Sequence, residues 1–188
     1  VEQDLRESLE MFGLNHVAFR PHNVYGERQN IGDPYRNVIG IFMRQILRGE
    51  PMTIFGDGSQ TRAFTHIDDV APVLAACIER PATWNQVYNI GSEEPRSVLD
   101  LAHRVAAAMG QERPRILHAE ARNEVLSAYS THEKVKARFG DLIRNVSLDE
   151  GLRGMALWAR NARIGAGRRF KGIEVEKNMP PTWRKLAE

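Results

Sequence analysis

Two arginines and an asparagine follow segments that are predicted to be strands or turns, and their side chains suit phosphate binding. Arg62 opens a predicted strand after a glycine turn, while Asn23 and Arg122 each come shortly after a predicted strand ends. Guanidinium groups are fork-shaped donors that match phosphate oxygens. In an open α/β sheet, ligands collect at the carboxyl ends of strands, so convergence of these three groups would suit a diphosphate. Spacing alone does not establish convergence, and it favours the plainer interpretation that the arginines are solvated or salt-bridged.

The elements that would position these residues alternate between strands and helices. Residues 52–55 are predicted to be a strand, and Gly56–Gln60 a turn, because Gly-Asp-Gly supplies backbone freedom. Residues 61–66 alternate polar and apolar side chains, as a half-buried strand does. Further strands are predicted at 15–20, 86–91 and 115–119, and helices at 37–49, 67–80, 97–110, 132–140 and 147–161. This alternation predicts an α/β protein with parallel sheet.

Residue types and spacing argue against several other chemistries. The chain contains no Gly-x-Gly-x-x-Gly turn after a strand, and its single cysteine cannot form a cysteine-based zinc cluster. No tyrosine is followed four residues later by a lysine. His66, Asp68 and Asp69 could be drawn as metal ligands. The favoured interpretation is that the two aspartates start a helix, where negative charge interacts well with the helix dipole, so no metal site is predicted.

Composition is that of an ordinary globular protein and narrows the possible partners. The 188 residues are 42% hydrophobic and 27% charged, and the net charge of +2 is too small to predict nucleic-acid binding. The basic cluster between Arg160 and Lys171 is predicted to be a solvated tail. No apolar run approaches the roughly 20 residues of a membrane span. Cys77 lies in an apolar helical run and is predicted to be an inert thiol in a reducing compartment, so we expect a cytoplasmic protein.

The chain begins within a helical pattern. Leu5, Leu9 and Phe12 share one helix face, and Gly13 is a stop signal. No N-cap residue precedes Val1. We therefore expect this chain to be a fragment of a longer protein.

Three segments together carry a family resemblance. They are RPHNVYGERQ at 20–29, RGEPMTIFGDGSQTRAFTHIDDV at 48–70 and YNIGSEEPRSVLDLA at 88–102. In this order, and with these gaps, they resemble the C-terminal half of nucleotide-sugar epimerases and dehydratases, which belong to the extended short-chain dehydrogenase/reductase family. UDP-glucose 4-epimerase-like members resemble the chain most. The resemblance covers roughly residues 1–160.

The resemblance implies an α/β fold made of the end of a Rossmann sheet and a small α/β substrate-binding domain. Residues 1–36 would be the C-terminal part of the NAD-binding Rossmann domain. Residues 37–161 would be mainly the substrate-binding region, with a strand or two returning to the Rossmann sheet. Residues 162–188 would form a C-terminal tail.

The resemblance also implies roles for five residues in binding a UDP-sugar. Asn23 matches a family asparagine that contacts the diphosphate, and Arg62 matches an arginine that holds a phosphate. Phe55 matches a residue whose backbone lies beside the base. Arg122 and Glu124 match an arginine on the diphosphate and an acidic residue on the ribose. The family often has Arg-x-Gly-Asp where this chain has Arg122-Asn-Glu124, one residue fewer.

The resemblance implies that part of the cofactor site lies in this chain and that the catalytic groups lie outside it. Pro21 and His22 match residues whose backbone lies near the nicotinamide of NAD. The segment that begins at Val1 resembles the part of a helix just past a Tyr-x-x-x-Lys pair. The Gly-rich NAD turn and the catalytic Tyr and Lys would therefore lie upstream, and no catalytic residue is expected in this chain. Thr131 is expected to cap the helix that follows it.

The implied function is the sugar-nucleotide-binding portion of an NAD-dependent UDP-glucose 4-epimerase-like enzyme, homodimeric at full length. Such an enzyme interconverts C4 epimers by transient hydride transfer, and this fragment alone would be inactive. A nucleotide-sugar 4,6-dehydratase or a UDP-glucuronate decarboxylase is the alternative within enzymes, because both share these motifs. A non-catalytic binding module is the alternative of another class.

Overall fold

The computed structural model describes residues 1–33 and 37–162. Its six α-helices in this part of the chain are Glu2–Phe12 (α1), Val38–Leu47 (α2), Ala71–Ala76 (α3), Val98–Ala108 (α4), Glu133–Phe139 (α5) and Leu148–Asn161 (α6). Its strands there are Val17–Pro21 (β1), Val24–Tyr25 (β2), Met52–Phe55 (β3), Thr61–Ala63 (β4), Thr65–His66 (β5), Gln86–Ile90 (β6), Pro95–Ser97 (β7), Ile116–Ala119 (β8) and Ser127–Ala128 (β9). The tail predicted beyond Ala162 lies outside the described residues.

Parallel pairing dominates the sheets. Strand β1 pairs in parallel with β6, β2 with β5, and β3 with β8. Strand β4 lies between β7, which is antiparallel to it, and β9, which is parallel. The prediction of an α/β fold with parallel sheet is therefore confirmed.

The predicted strand at 61–66 is divided at Phe64. Its first part, β4, pairs with β7 and β9, whereas its second part, β5, pairs with β2. Phe64 is buried between them in the main core. The prediction of one continuous strand was wrong because the two parts belong to different sheets, which alternation of side chains cannot distinguish.

The predicted helix at 67–80 is also divided. A 3₁₀ turn spans Ile67–Asp69, α3 follows, and a second 3₁₀ turn spans Cys77–Glu79. Pro72 lies in the first turn of α3. Since proline has no N–H and its ring clashes with the carbonyl four residues earlier, one α-helix cannot run through it from Ile67.

Two apolar clusters hold the chain together. The larger is built by α2, α4 and α6 against β3, with buried side chains that include Ile39, Phe42, Ile54, Leu101 and Leu152. The smaller is built by β1, β6, α3 and α5, with Val73, Tyr88, Val135 and Phe139. Cys77 packs against the smaller cluster, and burial raises the pKa of its thiol. That environment agrees with an inert cysteine, because the thiolate is the reactive form.

Side chains cap the helices of the larger cluster. The side-chain amide oxygen of Asn37 accepts a hydrogen bond from the N–H of Ile39, and the Ser97 hydroxyl accepts one from the N–H of Asp100. Ser147 accepts from the N–H of Glu150 at 3.3 Å, which is the serine half of a capping box. Helix α5 instead follows His132, without a side-chain cap, so Thr131 does not occupy the position predicted for it.

Helix α1 lies on the surface. None of its residues is buried, and Met11 and Phe12 are 71% and 67% exposed. Gly13 ends it in the left-handed conformation, as its sequence predicts. A two-pronged ion pair between Glu2 and Arg20 ties α1 to β1. No helix in the described part of the chain has the length and apolar character needed to cross a membrane.

Candidate functional site

A glycine turn directs the chain from β3 into β4. Gly56 and Gly58 have φ angles of 74° and 80°, which favour glycine. At Gly58 a side chain would also contact Leu99. Gln60 closes the turn, because its side-chain amide donates to the carbonyl of Phe55 at 3.1 Å. The turn therefore sets the direction in which Arg62 leaves it.

The guanidinium of Arg62 is held by the segment before β9. Its Nη2 lies 3.1 Å from Oε2 of Glu124, and its Nη1 donates to the carbonyls of Thr61 and Leu126. Glu124 also accepts a hydrogen bond from Gln60 at 3.3 Å. The Arg62 side chain is only 19% exposed, so this is a partly buried, geometrically defined ion pair.

Arg122 stacks on Phe55. The central guanidinium carbon lies 3.3 Å from the centre of the phenyl ring. Burial lowers the pKa of Arg122, while the charge of Glu124 acts in the opposite direction. Four of the five predicted substrate-binding residues, Phe55, Arg62, Arg122 and Glu124, thus form one connected group.

Asn23 lies beside this group, and its side chain is hydrogen-bonded to the backbone. It has a φ of 37°, and its side-chain amide donates to the carbonyl of Ala63 at 2.9 Å. Its own carbonyl accepts from the N–H of Thr65. Asn23 therefore joins the end of β1 to the chain that leaves Arg62.

Pro21 and His22 lie at the carboxyl end of β1, next to the end of β6. Pro21 pairs with Ile90, whose carbonyl accepts the N–H of His22. Nε2 of His22 lies 3.2 Å from the hydroxyl of Ser130, and that hydroxyl lies 3.3 Å from Nε2 of His132. His22, one of the two predicted cofactor-binding residues, thus contacts a second polar group, separate from the Arg62 ion pair.

Sequence reasoning missed this second group. His132 is 1% exposed, and its pKa is lowered by burial and then by the neighbouring His22. Gly91 permits the approach of the two rings, because a Cβ there would lie 3.0 Å from atoms of both histidines. Glycine at the end of a strand was the single available signal, and it did not identify its neighbours.

The aspartates considered as metal ligands have other partners. The carboxylate of Asp69 accepts hydrogen bonds from the N–H groups of Asn145 and Val146, while Asp68 pairs with Arg144. His66 accepts the N–H of Asp68 and so caps the 3₁₀ turn. Within residues 1–33 and 37–162, no cluster of His, Cys, Asp or Glu side chains suits a metal ion.

A cavity of about 290 Å³ lies near the second polar group. Its lining includes Glu93, Arg96, His132, Lys136 and Asn145, and none of the five predicted substrate-binding residues. Glu93 pairs with Lys136 at 2.7 Å across this lining. The connected group of Phe55, Arg62, Arg122 and Glu124 therefore lies at the surface, outside this cavity.

The parallel strand pairs, and the position of this site at the ends of strands, define an α/β protein. Residues 1–91 match the NAD dependent epimerase/dehydratase family. The relatives and structures described next are similar to the chain over 80–85% of its length.

Two curated relatives illustrate the range of activities. The putative UDP-glucose 4-epimerase of Methanocaldococcus jannaschii is 30% identical over 80% of this chain and 48% of its own length. The UDP-N-acetyl-alpha-D-glucosaminuronate decarboxylase of Bacillus cytotoxicus is 28% identical over 85% of this chain and 51% of its own length. The chain spans about half the length of these curated relatives.

Solved structures agree in fold. The UDP-glucose 4-epimerase of Thermotoga maritima with UDP-glucose has a TM-score of 0.75 and 31% identity, over 85% of this chain and 50% of its own. The UDP-glucuronic acid 4-epimerase of Bacillus cereus with UDP-glucuronic acid and NAD has a TM-score of 0.74 and 28% identity, over 85% and 50%.

Proposed function

We propose that this chain is the sugar-nucleotide-binding part of an NAD-dependent UDP-glucose 4-epimerase-like enzyme. The observation that carries the proposal is the connected group of Phe55, Arg62, Arg122 and Glu124. Its members come from β3, β4 and the segment before β9, so the fold itself brings two arginines to one place. Two fixed guanidinium groups would supply charge-assisted hydrogen bonds to the oxygens of a diphosphate.

The roles proposed within this group follow from side-chain chemistry. Arg62 and Arg122 would hold the diphosphate, and Glu124 would accept hydrogen bonds from ribose hydroxyls. The backbone of Phe55 would lie beside the base, with Asn23 next to the diphosphate. Binding at this group would fix the distance and orientation of the attached sugar.

The described residues could border the nicotinamide end of NAD, but they include no turn for its diphosphate. Pro21 and His22 lie where β1 and β6 end side by side, and ligands of open α/β sheets collect at such strand ends. We propose that their backbone borders the nicotinamide. NAD, when bound, would act as the transient hydride acceptor in the interconversion of C4 epimers. No Gly-rich turn for its diphosphate is present in this sequence.

The remaining parts of the proposal concern the whole enzyme. Residues 1–36 would complete a Rossmann domain, residues 37–161 would mainly bind substrate, and the catalytic Tyr and Lys would lie in a preceding segment. The full-length enzyme would be a cytoplasmic homodimer, and this chain alone would not turn over substrate.

Titration calorimetry with UDP tests the binding role. Wild-type chain is expected to bind UDP, and Arg62→Ala to weaken binding by about 10-fold to 100-fold, the value of one hydrogen bond between charged groups. Arg80→Ala is a matched control, because Arg80 also forms an ion pair, with Asp141 at 2.6 Å. No heat with UDP, or equal affinity in the Arg62 variant, would contradict the proposal and favour a partner-binding module.

The decarboxylase is a second candidate because one of the relatives carries that activity. The full-length enzyme separates the two reactions. An epimerase converts UDP-glucose to its C4 epimer without loss of carbon. A decarboxylase releases carbon dioxide from a UDP-uronic acid and leaves UDP-glucose unchanged.

A further inference from the structure

We propose that Glu124 is a specificity determinant that competes with ligand phosphate for Arg62. By this competition it makes the site favour diphosphates that carry sugar hydroxyls over bare diphosphate. The inference rests on the proposed function and deepens it. Its basis is the ion pair at 3.1 Å between Glu124 Oε2 and Arg62 Nη2.

The geometry holds Glu124 in place as an internal anion. One carboxylate oxygen contacts Arg62, and the other accepts from the Gln60 amide at 3.3 Å. Strand β9 begins three residues later and pairs with β4, with Ser127 opposite Thr61. The tether keeps the carboxylate at a high effective concentration beside the guanidinium.

An incoming phosphate must therefore displace the carboxylate or share Arg62 with it. Both anions are negatively charged, and Arg62 is 19% exposed, so repulsion between them is screened less than on an open surface. The charge of Glu124 also acts on Arg122. A bare diphosphate thus meets two arginines that already have an anion next to them.

A nucleoside diphosphate differs because it brings hydroxyl donors next to its phosphates. Once phosphate takes Arg62, the released carboxylate can accept hydrogen bonds from those hydroxyls, and such charge-assisted bonds are strong. Bare diphosphate leaves the carboxylate without a new partner. Glu124 therefore weakens the binding of bare diphosphate and strengthens the binding of a nucleoside diphosphate.

The experiment compares pyrophosphate and UDP by titration calorimetry at one ionic strength. In Glu124→Gln, which retains an oxygen to accept from Gln60, pyrophosphate is expected to bind about twofold to fivefold more tightly than to wild type. The affinity for UDP is expected to change less or to fall, so the preference for UDP shrinks. Glu120→Gln removes the same charge from a nearby exposed residue, and it should leave the preference unchanged.

A double variant tests the mechanism. When Arg62→Ala is already present, Glu124→Gln should no longer tighten pyrophosphate binding, because the contested group is absent. Equal or weaker pyrophosphate binding in Glu124→Gln would overturn the inference, even if Arg62→Ala had weakened UDP binding. Tighter pyrophosphate binding without UDP binding in any variant would support the competition and contradict the proposed function.

Discussion

The guanidinium carbon of Arg122 lies 3.3 Å from the centre of the Phe55 ring, so an arginine covers the last side chain of β3. The two residues lie 67 positions apart, and the contact orients a guanidinium that is a candidate hydrogen-bond donor to phosphate. An aromatic platform of this kind reduces the conformational freedom that Arg122 would lose on binding.

Replacing Phe55 by leucine is expected to weaken UDP binding by about threefold to tenfold, because a cation–π contact contributes about 1 kcal/mol. Leucine keeps an apolar side chain on β3, and calorimetry measures the effect. Lys134→Met is the control, since Lys134 makes a similar contact with Tyr88 at 4.9 Å. Equal losses in both variants would show that the Phe55 contact has no special role.

Asp69→Ala is expected to destabilise the fold by about 2–3 kcal/mol, because it leaves the N–H groups of Asn145 and Val146 without their acceptor. Urea unfolding measures this loss. Asp68→Ala provides a neighbouring control. Asp68 and Arg144 form an ion pair at the surface, where their side chains are 51% and 64% exposed. Asp68→Ala is therefore expected to lower the free energy of unfolding by about 1 kcal/mol or less. A similar loss at both positions would contradict the distinction.

His132 is expected to make stability depend on pH. Burial, and then the neighbouring His22, lower its pKa in the folded chain; Lys136 adds to the lowering, and Glu93 opposes it. The unfolded chain therefore binds a proton more readily, near its ordinary pKa of about 6.5. Stability present above that pH is lost as the pH falls through it towards the lower folded pKa.

Urea unfolding between about pH 7.5 and 5 checks this expectation, since the window brackets the ordinary histidine pKa. His132→Gln should flatten the decline in the free energy of unfolding. His103→Gln, at an exposed position on α4, should preserve it. If the free energy of unfolding fell as steeply with pH in His132→Gln as in wild type, groups other than His132 would be responsible.

Gly58→Ala should destabilise the turn more than Gly49→Ala does, although both glycines have positive φ angles. A Cβ at Gly58 would lie 3.0 Å from Leu99 and 3.1 Å from Ile54, whereas the space around Gly49 is open. We expect about 2–4 kcal/mol at Gly58 and about 1–2 kcal/mol at Gly49. Thermal or urea unfolding measures both, and equal losses would mean that packing around the turn relaxes.

Elements set by neighbouring residues could be predicted from the sequence. The strand at Met52–Phe55, the turn with Gly56 and Gly58, and the helix end at Gly13 all depend on interactions within a few residues. Side-chain period, backbone freedom and capping chemistry are local, so they can be recognised without knowledge of the rest of the chain. Strands β7 and β9 were missed because two or three residues carry too little pattern.

The candidate site also has features that the sequence predicted and contacts that it did not. From the sequence, Arg62 could be placed after a glycine turn, and a family resemblance indicated Phe55, Arg122 and Glu124 as candidates. The contact of Glu124 with Arg62 and the approach of His22 to His132 are visible only in the folded chain. These contacts join residues 62 and 110 positions apart. They depend on how the sheets and both apolar clusters pack, which no local pattern encodes.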